Sequence, residues 1–147
     1  MYDDAGELLA FQGRAVKAHR LRYRTEGPRP IFRPWDLHDV QPDSLCIVEG
    51  PFDLFVVNRV VPTVAVLGIQ PSPSQIEDLQ KLVGRFRQTH IWFDRGALAE
   101  ALDLQRKLAP FGIVDIILWD NEADPGACSE SLIREVLEGS HYHRLEG

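Results

Sequence analysis

The sequence has few cysteines and no long apolar stretch, and both absences narrow the class of protein. Two cysteines in 147 residues are too few to staple a secreted fold, so we expect a reduced, cytoplasmic protein. No apolar run reaches the roughly 18 residues that a membrane helix needs, so we expect no membrane partner. The first residues do not resemble a signal peptide. Hydrophobic residues make up 44% and charged residues 26%, which is typical of a globular domain.

Positive charge is scarce overall but concentrated near the amino terminus. The net charge is −6. Residues 12–33 nevertheless contain a single acid, Glu26, and seven basic residues: Arg14, Lys17, Arg20, Arg22, Arg24, Arg29 and Arg33. A basic strip on an acidic protein can contact phosphates without making the whole molecule bind nucleic acid. From the charge alone, a solvated, charge-rich hairpin is an equally good interpretation.

Apolar segments typical of strands alternate with amphipathic segments typical of helices. The predicted strands are 44–48, 63–67, 90–93 and 113–119, and the predicted helices are about 52–60, 72–86, 97–108 and 129–137. This alternation predicts an α/β fold with a mostly parallel four-stranded sheet and helices on both faces. Segments 7–16 and 21–25 predict a β-hairpin. We therefore expect three regions: a basic hairpin with a proline-rich connector over 1–43, an α/β domain over 44–138 and a flexible tail over 139–147.

Carboxylates follow three of the four predicted strands. They are Glu49 with Asp53 one turn later, then Asp94, then Asp120, Glu122 and Asp124. Ligands of open parallel sheets bind at the carboxyl ends of the strands, and a set of oxygen ligands suits Mg²⁺ or Mn²⁺. Such a site handles phosphates well. A solvated loop position explains any one acid better, but the whole set favours a site.

Three common catalytic motifs are missing from the sequence. There is no Gly-x-x-x-x-Gly-Lys-Ser/Thr phosphate loop, no Gly-x-Gly-x-x-Gly after a strand and no Gly-x-Ser-x-Gly elbow. Their absence disfavours a P-loop ATPase, a dinucleotide-binding enzyme and an α/β-hydrolase. Cys46 lies inside an apolar strand, so we expect it in the core and not as a nucleophile.

A set of short motifs follows the first strand in a fixed order. Segment 44–53 reads Ser-Leu-Cys-Ile-Val-Glu-Gly-Pro-Phe-Asp. It is followed by Leu67-Gly68, Pro73-Ser-Gln-Ile76, His90-Ile-Trp-Phe-Asp94 and Ala123-Asp-Pro125. In order and spacing the set resembles the Toprim domain of the bacterial and phage-type DNA primases. Residues 6–14 and 21–23 resemble the end of the basic subdomain that precedes Toprim in primases, so the resemblance extends from about residue 3 to 138.

The resemblance implies a function in DNA replication. It implies Mg²⁺-dependent (or Mn²⁺-dependent) nucleotidyl transfer, in which an RNA primer is made on single-stranded DNA. The implied catalytic residues are Glu49 and Asp94, and the implied metal ligands are Glu49, Asp53, Asp94 and Asp124. The residues expected to contact nucleic acid or nucleotide phosphates are Arg14, Lys17, Arg20, Arg22 and Arg24.

The sequence departs from the family pattern after the third strand, where primases have Asp-x-Asp. Here the sequence reads Phe93-Asp-Arg-Gly-Ala97. Three interpretations are open: Gly96 replaces the second acid, Asp94 is the second acid and Trp92 replaces the first, or two residues are deleted after the strand. Each removes one carboxylate, which should weaken metal binding. Asp120 or Glu122 could compensate from the next loop.

The resemblance also implies partners and a cellular setting. The implied partners are single-stranded DNA and nucleoside triphosphates, together with a replicative helicase or a separate primase subunit. The implied setting is the cytoplasm, at the nucleoid or in a viral replication complex. Since no zinc-binding Cys/His spacing is present, we expect either a minimal protein of viral origin or one piece of a split primase. Two alternatives stay open: a non-catalytic Toprim module that binds nucleic acid or a partner protein, and a small Toprim nuclease.

Overall fold

The computed structural model describes residues 11–14, 23–26, 30–68, 70–118, 125–139 and 144–146. For 11–14, 23–26 and 144–146 it describes the backbone. The chain divides into two compact units, residues 1–30 and residues 31–147.

The first unit contains a two-stranded antiparallel hairpin. Strand β1 (Phe11–Arg14) pairs with strand β2 (Tyr23–Glu26). The register runs from Phe11 opposite Glu26 to Arg14 opposite Tyr23. Both strands lie largely within the predicted segments, so the predicted hairpin is confirmed.

The second unit alternates strands and helices, as the sequence predicts. Its strands are β3 (Ser44–Val48), β4 (Thr63–Ala65), β5 (Gln88–Ile91), β6 (Val114–Ile117) and β7 (Arg144–Glu146). Its helices are α1 (Pro51–Val57), α2 (Pro73–Val83), α3 (Leu98–Leu108) and α4 (Glu130–Glu138). The α/β class with a mostly parallel sheet is confirmed. Within the described residues, no helix combines the length and the apolar character needed to cross a bilayer.

The sheet has the order β4-β3-β5-β6-β7, and its first four strands are parallel. Side chains alternate between the two faces of a strand, and helices cover both faces of this sheet. Helix α2 contacts α3, and α1 contacts α4. Leu45 and Ile47 of β3 pack with Leu79 of α2 and Leu104 of α3 in the main apolar core.

A buried polar pair holds β5 against β6. His90 and Asp115 lie opposite each other in the register, and each is about 2% exposed. Nδ1 of His90 lies 2.5 Å from Oδ1 of Asp115, and Gln88 donates a hydrogen bond to the other carboxylate oxygen at 2.8 Å. A buried polar group that is hydrogen-bonded avoids the cost of an unmet one. The pair therefore stabilises the alignment of β5, whose carboxyl end leads to Asp94.

The carboxyl-terminal segment differs from the prediction of a flexible tail over 139–147. Strand β7 pairs antiparallel with β6, with Leu145 opposite Ile116 in the register. Without this pairing β6 would be an edge strand with a row of unpaired backbone groups. The short sequence of β7 carries too weak a pattern to be predicted as a strand, because the pairing depends on a partner distant in sequence.

The connector also differs from the prediction, since its second half belongs to the α/β unit. Phe32 forms an antiparallel bridge with Ala65 through two backbone hydrogen bonds of 2.9 Å. The indole of Trp35 donates to the carbonyl of Thr63 at 2.8 Å and packs edge-on against Phe86. The connector thus covers the outer edge of β4. The boundary between units falls after Pro30, and not at 43/44, because these aromatic side chains need the α/β core as a packing surface.

Candidate active site at the carboxyl ends of the strands

The chain leaves two neighbouring strands in opposite directions. Helix α1 connects β3 to β4 on one side, whereas α3 connects β5 to β6 on the other. The carboxyl ends of β3 and β5 therefore form a topological switch point, the place where open α/β sheets bind their ligands. Glu49 follows β3 directly, and Asp94 follows β5 after Trp92 and Phe93.

Glu49 and Asp94 meet at this switch point. The backbone N–H of Asp94 donates a hydrogen bond of 2.8 Å to Oε1 of Glu49, and both residues are half-buried. The backbones that lead to these two residues are also joined, since the N–H of Trp92 donates to the carbonyl of Ile47 at 2.8 Å. Hydrogen bonds to an ionised carboxylate are shorter and stronger than neutral ones. The carboxylate of Glu49 is thus held against the backbone of Asp94 at the carboxyl ends of the strands.

Asp53 lies in the first turn of α1. Gly50 precedes the helix in an extended conformation, and Pro51 occupies the first helical position, where its fixed φ suits a helix start. An acid in this turn interacts favourably with the helix dipole. Asp53 uses Oδ1 to accept a hydrogen bond of 2.9 Å from the backbone N–H of Gly126. Asp53 therefore links α1 to the turn at Pro125–Ala127.

Gly126 leaves room for this close approach. A Cβ at position 126 would lie 2.7 Å from Oδ1 of Asp53 and 3.4 Å from its Cα. Real Cβ atoms do not lie this close to another heavy atom, so either the carboxylate of Asp53 or the turn would have to shift. Gly126 is not among the residues predicted for the site, although a glycine two residues after Asp124 was the available signal.

The segment that follows β4 lies beside the backbone of Glu49. Leu67 has φ 59°, a left-handed conformation that costs a non-glycine residue of the order of 1 kcal/mol or more. The next residue, Gly68, donates its N–H to the carbonyl of Glu49 at 3.3 Å. Buried Gln75 holds the segment in place, because its side-chain nitrogen donates to the carbonyl of Val66 at 2.7 Å. It also accepts from the N–H of Ser72 at 2.8 Å, and this hydrogen bond belongs to the capping box of α2.

The two candidate positions for the missing carboxylate differ in their surroundings. Trp92 is about 1% exposed, so its position is filled by core packing. Gly96 is exposed, and a Cβ there would meet no atom within 4 Å. Of these two positions, only 96 has room for an additional carboxylate beside Asp94.

The donor atoms of the site are oxygens, which suits Mg²⁺ or Mn²⁺. Glu49, Asp94 and Asp53 supply carboxylates from two strand ends and one helix start. Within the part of the chain that the structure describes, however, no three such side chains are grouped closely enough to hold a metal ion. Asp124, the fourth predicted ligand, lies outside the described residues, and so do Asp120 and Glu122.

Cys46 lies beneath the site and is completely buried. Burial raises the pKa of its thiol far above the usual range, and the charges of Asp115 and Asp53 act in the same direction. The thiol therefore stays protonated at neutral pH. This state agrees with the sequence-based expectation of a core cysteine.

The predicted phosphate-binding residues are described only in part. Arg14 lies in β1 and Arg24 in β2; Lys17, Arg20 and Arg22 lie outside the described residues. Arg33, at the end of the basic strip, has local contacts. Its guanidinium lies 5.2 Å from the ring centroid of Trp35, donates to the carbonyl of that residue at 2.6 Å and pairs with Asp36 at 3.6 Å.

The comparisons with known proteins bear on the fold. The structure matches the crystal structure of the Aquifex aeolicus primase, which contains zinc-binding and RNA polymerase domains, with a TM-score of 0.77 and 17% sequence identity. The fold is primase-like. The match covers 99% of this chain and 40% of the Aquifex chain, so the chain spans less than half the length of that protein. No protein-family model matches the sequence, and no curated protein matches it significantly.

Proposed function

We propose that this chain is a primase-like Toprim protein that acts in DNA replication. The proposed reaction is Mg²⁺-dependent nucleotidyl transfer, in which ribonucleotides are joined on a single-stranded DNA template. The observation that carries the proposal is the hydrogen bond of 2.8 Å between Glu49 and Asp94 at the switch point, in a chain with a primase-like fold. Single-stranded DNA and nucleoside triphosphates are the proposed substrates.

The proposed site divides its work between metal ligands and positioning groups. Glu49, Asp94, Asp53 and Asp124 are the proposed ligands of Mg²⁺ (or Mn²⁺), which neutralises phosphoryl oxygens when it is bound. The hydrogen bond from the backbone of Asp94 orients the carboxylate of Glu49, and the hydrogen bond from Gly126 orients that of Asp53. Preorganised groups of this kind lower the barrier because they need no rearrangement during the reaction.

The proposed template contacts are the basic residues near the amino terminus. Arg14, Lys17, Arg20, Arg22 and Arg24 belong to a strip with a single acid. Each lysine or arginine that neutralises a phosphate makes binding more sensitive to salt. We therefore propose that this strip contacts the phosphates of the template, and that a replicative helicase or a separate primase subunit acts with the chain.

Primer synthesis on single-stranded DNA tests the proposal. The wild type, with ribonucleoside triphosphates and Mg²⁺ or Mn²⁺, should make short RNA products, and Glu49→Gln should reduce them to background. Asp103→Asn is the matched control, because this exposed carboxylate pairs with Lys107 on α3 and should leave synthesis unchanged. Synthesis that survives Glu49→Gln would overturn the proposal. Cleavage of DNA or RNA without synthesis would assign the same acids to a nuclease.

A second candidate is a non-catalytic module that binds nucleic acid or a replication partner. It is favoured by one specific observation, that Asp94 is followed by Arg95 and Gly96 and not by a second acid. This candidate predicts that DNA or partner binding needs no divalent metal and that Asp94→Asn does not weaken it. The primase proposal predicts the opposite for synthesis, so the two are separated by the same set of variants.

A further inference from the structure

Two phenyl rings face solvent on helix α1, next to the candidate active site. Phe52 and Phe55 are each 53% exposed. They lie three residues apart and so share one side of the helix, while Leu54 and Val57 fill the buried side. Large exposed apolar side chains that form a patch mark a binding surface. The two rings on α1 are therefore a candidate binding surface.

The rings are close to the acidic site along the chain. Three Cα–Cα steps of about 3.8 Å separate Glu49 from Phe52, so their Cα atoms lie within about 11 Å of each other. Asp53, between the two rings, points its carboxylate to Gly126 at the site. A strand that binds at the carboxylates is therefore within reach of the helix that carries the phenyl rings.

The ring of Phe55 is also held in place. Phe55 packs edge-to-face with Phe32, with ring centroids 6.0 Å apart. Phe32 is fixed in turn by two backbone hydrogen bonds to Ala65. A ring that is already ordered loses little conformational entropy when a ligand covers it. This preorganisation favours a flat ligand that stacks.

The charge of α1 selects among flat ligands. The helix reads Pro-Phe-Asp-Leu-Phe-Val-Val and contains an acid but no basic residue. The next basic residue is Arg59, which is exposed and lies four residues after Phe55. A nucleic-acid strand at Phe52 can be held through its bases, because aromatic side chains bind bases of any sequence by stacking.

We propose that Phe52 and Phe55 form a stacking platform for the bases of single-stranded DNA beside the acidic site. The proposal rests on the proposed function, since it names how that site would receive a template strand. In this proposal the phenyl rings bind the bases of the strand. Stacking on one aromatic side chain raises affinity by about 5- to 150-fold per base.

Binding of two matched strands tests the platform. One is a fluorescently labelled oligothymidylate, and the other is an abasic strand of the same length and charge, both followed by anisotropy. The wild type should bind the base-bearing strand at least about fivefold more tightly. Phe52→Leu should remove most of this preference and leave affinity for the abasic strand unchanged, whereas Phe52→Trp should keep or increase it. Phe111→Leu is the matched control, because Phe111 is 49% exposed. It precedes β6 and so lies at the amino ends of the parallel strands, away from the carboxyl ends that form the site.

The outcomes separate this inference from the proposed function. Equal binding of the two strands by the wild type, or a preference that survives Phe52→Leu and Phe55→Leu, overturns the platform and leaves the patch to a protein partner. If primer synthesis still depends on Glu49 in that case, the proposed function stands alone. A base preference that depends on Phe52, without any primer synthesis, supports the platform and counts against the polymerase. A wild type that binds neither strand overturns both.

Discussion

The backbone N–H of Asp94 donates a hydrogen bond of 2.8 Å to the carboxylate of Glu49. This contact spans the two strands at which the direction of the chain reverses within the sheet. It brings the backbone of Asp94 to the side chain of Glu49, which lies 45 residues earlier in the sequence. A side-chain carboxylate that accepts from a backbone N–H is held in a fixed orientation, which is what a metal ligand requires.

Replacement of Gly126 by alanine should destabilise the fold and disturb Asp53. The added Cβ would lie 2.7 Å from Oδ1 of Asp53, so either the turn moves away or the hydrogen bond breaks. We expect a loss of about 1–3 kcal/mol in the free energy of unfolding, measured by urea denaturation. Gly84→Ala is the control, because its nearest neighbour lies 3.6 Å from the added Cβ, and it should change stability little. Equal stability of Gly126→Ala and the wild type would contradict the described packing.

Replacement of Gly96 by aspartate should strengthen metal binding. Position 96 faces open space and follows Asp94 closely, so a carboxylate there adds a charged oxygen ligand to the site. Cation affinity rises with the number of charged ligands, and we expect Mn²⁺ to bind about tenfold more tightly, which corresponds to about 1.4 kcal/mol. Gly96→Asn adds similar bulk without the charge and should give a much smaller gain. An aspartate variant no better than the asparagine variant would show that position 96 does not face the metal.

Cys46 should make stability decrease at alkaline pH. Burial raises the pKa of its thiol in the folded state, whereas the unfolded chain titrates near the ordinary value of about 8.5. Above that pH the unfolded state releases a proton that the folded state keeps, so the free energy of unfolding falls as pH rises. The difference should reach about 2 kcal/mol at pH 10 relative to pH 7. It should disappear in Cys46→Ala, whose other titrating groups are the same. Parallel pH profiles of the two proteins would contradict the buried, protonated thiol.

The sequence predicts the fold, and the nearness of Glu49 to Asp94, for identifiable reasons. Alternating apolar and amphipathic segments are local patterns, so the strands and helices of the α/β unit were predicted close to their observed bounds. Carboxyl ends of parallel strands share one edge, so Glu49 and Asp94 were expected to meet. The switch point between β3 and β5 could not be predicted, because strand order depends on contacts between distant segments.

Other features depend on geometry that residue types do not reveal. Leu67 adopts φ 59°, although leucine rarely does. The hydrogen bonds from Gly68 to Glu49 and from Gln75 to Val66 fix the residues on either side of it. Strand β7 forms because β6 offers a free edge, and the connector from Ile31 packs because β4 offers another. In each case a partner distant in sequence outweighs the local preference of the segment. The exposure of Phe52 could likewise not be predicted, because the sequence indicates only that the helix is apolar.

Calorimetric titration with Mn²⁺ tests the central claim most directly. The claim is that Glu49 and Asp94 together bind a divalent cation at the switch point. We predict that the wild type and the Asp103→Asn control bind Mn²⁺ alike, and that Glu49→Gln and Asp94→Asn each abolish binding while the proteins stay folded. Glutamine keeps an oxygen that can accept the hydrogen bond from Asp94, so a loss would reflect the missing charge and not a lost fold. Binding that is unchanged in either variant, or a wild type that does not bind at millimolar Mn²⁺, would contradict the account.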